Sequence, residues 1–233
     1  MRLVAGDEVS IVELVPAGAQ PHGYELTPRQ ARELLDADLA VVTGGGYQPD
    51  VEATAARRDG PTVVALEALA VEGDDPHVWL DPLLMREAVK AVAEALRGIG
   101  VHADEADAVE ELDGLHARFA AGLEPCRRRE LVVSHAAFGY LALRYGLEQV
   151  AVEDAGDRAA VERARQAIRA GATPFVETLS PAPALEVLAA EEGVETEVLN
   201  PAEGLVPREQ AAGATYRSLL LYDLETLVDH LDC

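Results

Sequence analysis

The sequence predicts an α/β fold of parallel strands and helices, arranged as two lobes joined by a single long helix. Three observations carry this. Short apolar runs alternate with capped, helix-periodic stretches along nearly all of the 233 residues, the pattern of strand–helix–strand crossovers. Apolar residues make up 49% of the chain but aromatic residues only 4%, so Ala, Val and Leu must fill the core. That composition suits helices and buried parallel strands better than an aromatic-rich sandwich. Finally, residues 103–124 keep helical period, with Val109, Leu112, Leu115 and Phe119 on one stripe. This stretch exceeds the mean helix length and lies mid-chain, so it reads as a connector. The predicted parts are an N-terminal lobe at 1–102, the connecting helix at 103–125 and a C-terminal lobe at 126–233.

Taken in order, residues 9–15 (VSIVELV) read as a strand, followed by a loop. Thr27-Pro28-Arg29-Gln30 is a helix start, with Thr27 as cap, Pro28 in the first turn and Gln30 closing a capping box. That helix ends near Ala37. Residues 39–43 form a short buried strand running into Gly44-Gly45-Gly46, a tight turn. Residues 62–66 are another strand, and Asp81-Pro82 caps a helix that reaches about Arg97. In the second half, strands are predicted at 131–133, 174–176 and 195–199. Helices are predicted at 136–145, at 161–170, from Ser180-Pro181 to Gly193, and from about Arg208 to Leu231.

The formal net charge is −23, which repels phosphate backbones and makes nucleic acid a poor partner. No apolar run approaches the ~20 residues that span a bilayer, so this chain has no membrane insertion of its own. An export signal is absent from this sequence. Cys126 and Cys233 form no C-x-x-C motif, and from the residues alone they are either two thiols or one long-range disulfide. The chain has no H-E-x-x-H, no G-x-S-x-G, no Walker A and no G-x-G-x-x-G sequence, which removes the commonest protease, hydrolase and nucleotide-binding readings.

Of six histidines, His102, His116 and His230 lie on or beside predicted helices and read as surface or boundary residues. His22, His77 and His135 each fall in a loop or at a strand end just before a predicted helix. Ligands of open α/β sheets bind at the carboxyl ends of strands, so these three could converge. Three neutral imidazoles and one carboxylate fill a tetrahedral zinc shell. Glu203, just after the strand at 195–199, is one candidate carboxylate. Glu177, after the strand at 174–176, is the other, either as a ligand or as an acceptor that orients a histidine ring.

Four segments in this order carry a resemblance. They are PHGYELTPRQ (21–30), DPHVWLDP (75–82), VVSHAAFGYLALRYGL (132–147) and LNPAEGL (199–205). Together they resemble the metal segments of the zinc receptors of bacterial metal ABC importers, the cluster A-I solute-binding proteins. The resemblance covers nearly the whole chain. It implies His22, His77, His135 and Glu203 as ligands of Zn²⁺, held in the cleft between the two lobes. Manganese-type relatives tend to place Glu where this chain has His135 and Asp where it has Asn200, so the imidazole-rich set favours zinc.

The resemblance also implies a disulfide between Cys126 and Cys233, an extracytoplasmic location in the periplasm or on the outer cell surface, and a monomer that docks on a membrane permease. It implies no enzymatic activity. The family carries a strand and helix before the region of residue 9, and residues 1–8 look like the end of that helix; a copy lacking those elements could have lost its site. Where zinc receptors often carry a long His-rich loop, this chain has only Glu72-Gly73-Asp74-Asp75. The stretch from Val150 to Val161 is shorter than is usual in the family. Two other readings are a receptor for manganese or another divalent metal, and a metal-dependent hydrolase with Glu177 or Glu25 as base.

Overall fold

Four helix starts in this chain are set by polar side-chain caps, those of Thr27, Asp81, Asp157 and Thr215. In a computed structural model, which describes residues 2–71 and 75–233, Thr27 accepts from the Gln30 backbone and Gln30 returns the bond, starting α2. Asp81 accepts from Leu83 N to start α5, and Asp157 accepts from Ala159 and Ala160 N to start α8. Each cap satisfies backbone donors that the first helical turn leaves unpaired. Of the loop at 72–75, only Asp75 lies within the described residues.

The chain divides into two compact units, Met1–Gly114 and Leu115–Cys233. The first holds α1 (Arg2–Ala5), α2 (Pro28–Asp36), β1 (Ala40–Val42), α3 (Pro49–Ala55), β2 (Thr62–Val64), α4 (Ala65–Leu69), a 3-10 turn at Val78–Leu80 and α5 (Pro82–Gly98). Strands β1 and β2 pair in parallel, with Val41 opposite Val63. Leu34, Ala40, Val42, Val51 and Ala55 pack around them as one core cluster, while Val92, Ala93 and Leu96 of α5 pack on Val4 and Ala5 in another. Gly44 and Gly45, both at positive φ, let β1 turn sharply; a Cβ on either would meet Val64 or Leu66 side-chain carbon at 2.6 Å.

Helix α6 (Ala106–Leu123) stands where residues 103–124 have helical period, and the division between the units falls within it. The second unit then runs β3 (Glu130–Val133), α7 (Gly139–Tyr145), β4 (Glu148–Ala151), α8 (Arg158–Arg169), β5 (Pro174–Val176), α9 (Pro183–Glu192), β6 (Glu197–Val198), α10 (Pro207–Ala211) and α11 (Tyr216–His230). Its sheet is parallel throughout in the order β4-β3-β5-β6. Val132 and Val150 of the strands pack against Ala164 and Ile168 of α8 and Leu185 and Leu188 of α9. The predicted parallel α/β class is thus the observed one.

Two expectations fail. Residues 9–15 form no strand: β1 pairs only with β2, and no ladder partner for 9–15 exists among the described residues. Apolar alternation is insufficient without a neighbour to accept the backbone bonds, and Val12 is left 59% exposed. The predicted helix 208–231 is two helices. Gly213 at φ 70° ends the first segment, and Thr215 caps α11 in a box with Ser218. Helices α3 and α4 and strand β4 are additional to the sequence reading.

Cys126 and Cys233 form a disulfide with a sequence separation of 107 residues, closing almost the whole second unit into one covalent loop. Constraining a loop of that length in the unfolded chain stabilises by about 2–4 kcal/mol. The double variant Cys126→Ser/Cys233→Ser should lose about that much in denaturant unfolding, and reductant should lower the thermal midpoint of the parent protein but leave the variant's unchanged.

Candidate metal centre

In the first unit, His22 sits in a tight loop. Gly23 N donates to Tyr47 O at 3.0 Å, Gln48 Nε2 donates to Pro21 O at 3.2 Å, and Tyr24 N donates to Pro21 O at 3.1 Å. Its ring meets the edge of Tyr47, with centroids 4.5 Å apart. His77 directly precedes the 3-10 turn and lies against Trp79, with centroids 5.2 Å apart. Asp75 accepts both from the His77 backbone N at 3.0 Å and from the ring Nδ1 at 2.6 Å. With the proton held on Nδ1, the lone pair is on Nε2. That Nε2 stands 3.2 Å from Nε2 of His22.

In the second unit the carboxyl ends of the four strands each deliver one acid or base. His135 follows β3, Glu153 follows β4, Glu177 follows β5 and Glu203 lies beyond β6. Glu153 Oε1 takes the His135 Nδ1 at 2.6 Å and the backbone N of Ala136 at 3.1 Å, the arrangement that Asp75 makes at His77. His135 Nε2 stands 3.2 Å from Glu203 Oε1. The sequence reading put Glu177 forward for the ring-orienting role. The hydrogen-bonding acid at Nδ1 is Glu153, while Glu177 acts on His135 through its charge. Burial alone would lower the His135 pKa, but the hydrogen bonds that its ring donates to Glu203 and Glu153, with the charges of Glu203 and Glu177, push it up to about 9.

Both donor pairs fit one test. Two ligands at about 2.0–2.1 Å from a tetrahedral zinc ion stand about 3.3–3.4 Å apart. His22–His77 and His135–Glu203 are each 3.2 Å apart. Each pair has a spacing compatible with two adjacent positions of such a shell, two imidazole nitrogens in the first unit and an imidazole nitrogen with a carboxylate oxygen in the second. Ser134, adjacent to His135, spends its hydroxyl accepting from Glu177 N at 3.3 Å.

The sequence reading missed Asp75 and Glu153. Asp75 had a signal, standing two residues before His77 in the same motif. Glu153 had none, because β4, which positions it, was not recognised. The Glu203 loop is held by Asn200, whose backbone N donates to Asp223 Oδ1 at 2.9 Å, whose Oδ1 accepts from Ala202 N at 2.9 Å, and whose Nδ2 donates to Glu209 Oε1 at 3.0 Å. Both ends of the Asn200 amide are thus engaged in holding the loop.

A two-unit α/β chain that places imidazole and carboxylate groups at loop and strand ends offers side chains that could hold a metal ion. The chain matches over residues 1–230 the family described as zinc-uptake complex component A, periplasmic (ZnuA), and belongs to it. It is 30% identical over 265 aligned residues to the zinc-binding lipoprotein AdcA of Streptococcus pneumoniae, covering 98% of this chain and 53% of that protein. The chain thus spans about half the length of that curated relative. It is 25% identical to the high-affinity zinc uptake system protein ZnuA of Bacillus subtilis, over 98% of this chain and 82% of that one. The crystal structure of the Zn(II)-bound ZnuA-like domain of S. pneumoniae AdcA matches with a TM-score of 0.78 at 28% identity, over 100% of this chain and 94% of that one.

Asp223 is fully buried, and burial pushes its carboxyl well above the usual range. A carboxyl whose folded pKa is raised favours folding most below its unfolded pKa, and the benefit is lost as pH rises through the folded value. Asp223→Asn keeps the acceptor for Asn200 N without the charge. Thermal unfolding from pH 5.5 to 8 should show the variant gaining on the parent as pH rises; a constant difference would contradict ionisation at this position.

Proposed function

We propose that this chain is an extracytoplasmic receptor that binds one Zn²⁺ through His22, His77, His135 and Glu203 and delivers it to the membrane permease of an ABC importer. The 3.2 Å spacing within each donor pair carries the reading. One half-shell lies in each unit, so in this proposal one ion closes the two around it in the interlobe cleft, with α6 as the connecting element between lobes at 1–102 and 126–233. The relatives named as zinc-binding and zinc-uptake proteins support zinc as the cargo. The Cys126–Cys233 disulfide fits an oxidising compartment.

Four protein donors leave no coordination position for an activated water, which a hydrolase would need; we read the chain as a receptor and not an enzyme. His135 and the engaged amide of Asn200 argue against a manganese-type set. The permease is the partner, reached by the metal-loaded protein as a monomer, and the net charge of −23 disfavours nucleic acid.

Elemental analysis and calorimetric titration test this. One zinc per chain is the expected stoichiometry. His135→Ala should weaken binding by more than the roughly 10–100-fold that loss of an outer hydrogen-bond partner costs; unchanged affinity in the variant, or no binding by the parent, would overturn the assignment. Trp79 is the only tryptophan and touches the His77 ring. Its emission should change saturably up to one equivalent of zinc, and should stay unchanged if the metal binds elsewhere.

A further inference from the structure

The loop that carries Glu203 is closed on itself by one carboxylate. Three residues before Glu203, Asn200 Nδ2 donates to Glu209 Oε1 at 3.0 Å. Three residues after it, Val206 N donates to Glu209 Oε2 at 2.9 Å. Both oxygens of Glu209 are thus spent holding the two ends of residues 200–206 together. Within the loop, Ala202 adopts the left-handed region at φ 52°, which an alanine rarely does. The bond from Ala202 N to Asn200 Oδ1 at 2.9 Å accompanies that turn. The entry of the loop is tied to α11 through Asn200 N and the buried Asp223, and to β5 through Leu199 N and Val176 O at 3.1 Å. A seven-residue loop with these ties has few ways to move its central side chain. Ordering a loop only when the metal arrives would cost conformational entropy at each residue.

We propose that Glu209 is a positioning residue for Glu203, clasping residues 200–206 so that the carboxylate is presented in place before the ion arrives. This rests on the reading of Glu203 as a zinc ligand. Glu209 donates nothing to the metal itself; it lies six residues beyond Glu203 at the start of α10, where it also caps Val206 N. Its effect on metal binding passes through Glu203 alone, and that dependence separates positioning from general stabilisation.

A double-mutant cycle on the full chain tests it, with zinc affinity measured by chelator competition, zinc loss followed in stopped flow, and the visible spectrum of the cobalt(II)-substituted protein recorded for each variant. Glu209→Ala should weaken zinc binding about 10-fold, mainly through faster loss, and should shift the cobalt bands as the carboxylate becomes poorly held. Glu209→Gln, which keeps one acceptor, should fall between parent and Glu209→Ala, and it carries the test if the alanine variant does not fold. In a Glu203→Ala background, Glu209→Ala should change neither affinity nor spectrum further. An equal loss in both backgrounds, or no loss in either, would overturn the positioning role. Glu203→Ala with parental affinity would overturn the ligand reading itself, and the positioning role with it.

Discussion

The parallel hydrogen-bond register of β4-β3-β5-β6 governs where chemistry can occur in the second unit. Parallel strands all point their carboxyl ends to one edge of the sheet. Because every crossover returns through a helix, each of those ends opens into a loop free to carry a functional residue. His135, Glu153, Glu177 and Glu203 occupy these four positions in turn. The packing of Val132, Ile168, Leu185 and Leu188 behind them fixes the strand spacing. That parallel register brings the loops to one edge, and bonds between them, such as those that the His135 ring and Ala136 N donate to Glu153, then hold the side chains in place. The first unit reaches the 3.2 Å spacing of the His135–Glu203 pair by another route, using a tight loop at His22 and the 3-10 turn that His77 precedes.

The two carboxylates behind the rings decide what the rings can do. Asp75 and Glu153 each hold an Nδ1 proton, so Nε2 is the ring atom that faces the other member of each pair. At His135, burial alone would lower the pKa, but the hydrogen bonds that Glu203 and Glu153 accept and the charges of Glu203 and Glu177 push it up to about 9. The second ring proton lies between His135 Nε2 and Glu203. Its stabilising contribution is complete below about pH 6.5 and fades as pH rises through about 9. Formation of the proposed zinc complex would release that proton at neutral pH.

Much of this was legible from residues. Capped helix starts at Thr27, Asp81 and Thr215 follow from local chemistry, though Thr215 was overlooked inside a long apolar stretch. The strand at 174–176 appears with the predicted bounds, because a three-residue apolar run between turn residues admits few alternatives. The histidines stood out because each preceded a helix. Residues 9–15 misled because strand pattern describes a segment, whereas a strand exists only with a neighbour. Glu153 and Glu209 stayed hidden for a related reason. Their roles depend on bonds to residues far along the chain or across a loop, and nothing in their own neighbourhoods marks them out from the many other acids of this chain.

X-ray absorption at the zinc edge of the loaded protein tests the central claim directly. The account predicts a four-coordinate shell of three imidazole nitrogens and one carboxylate oxygen at about 2.0–2.1 Å, losing one imidazole in either His22→Ala or His135→Ala. A shell that loses an imidazole in only one of those variants would mean that a single unit holds the metal, and would contradict the account.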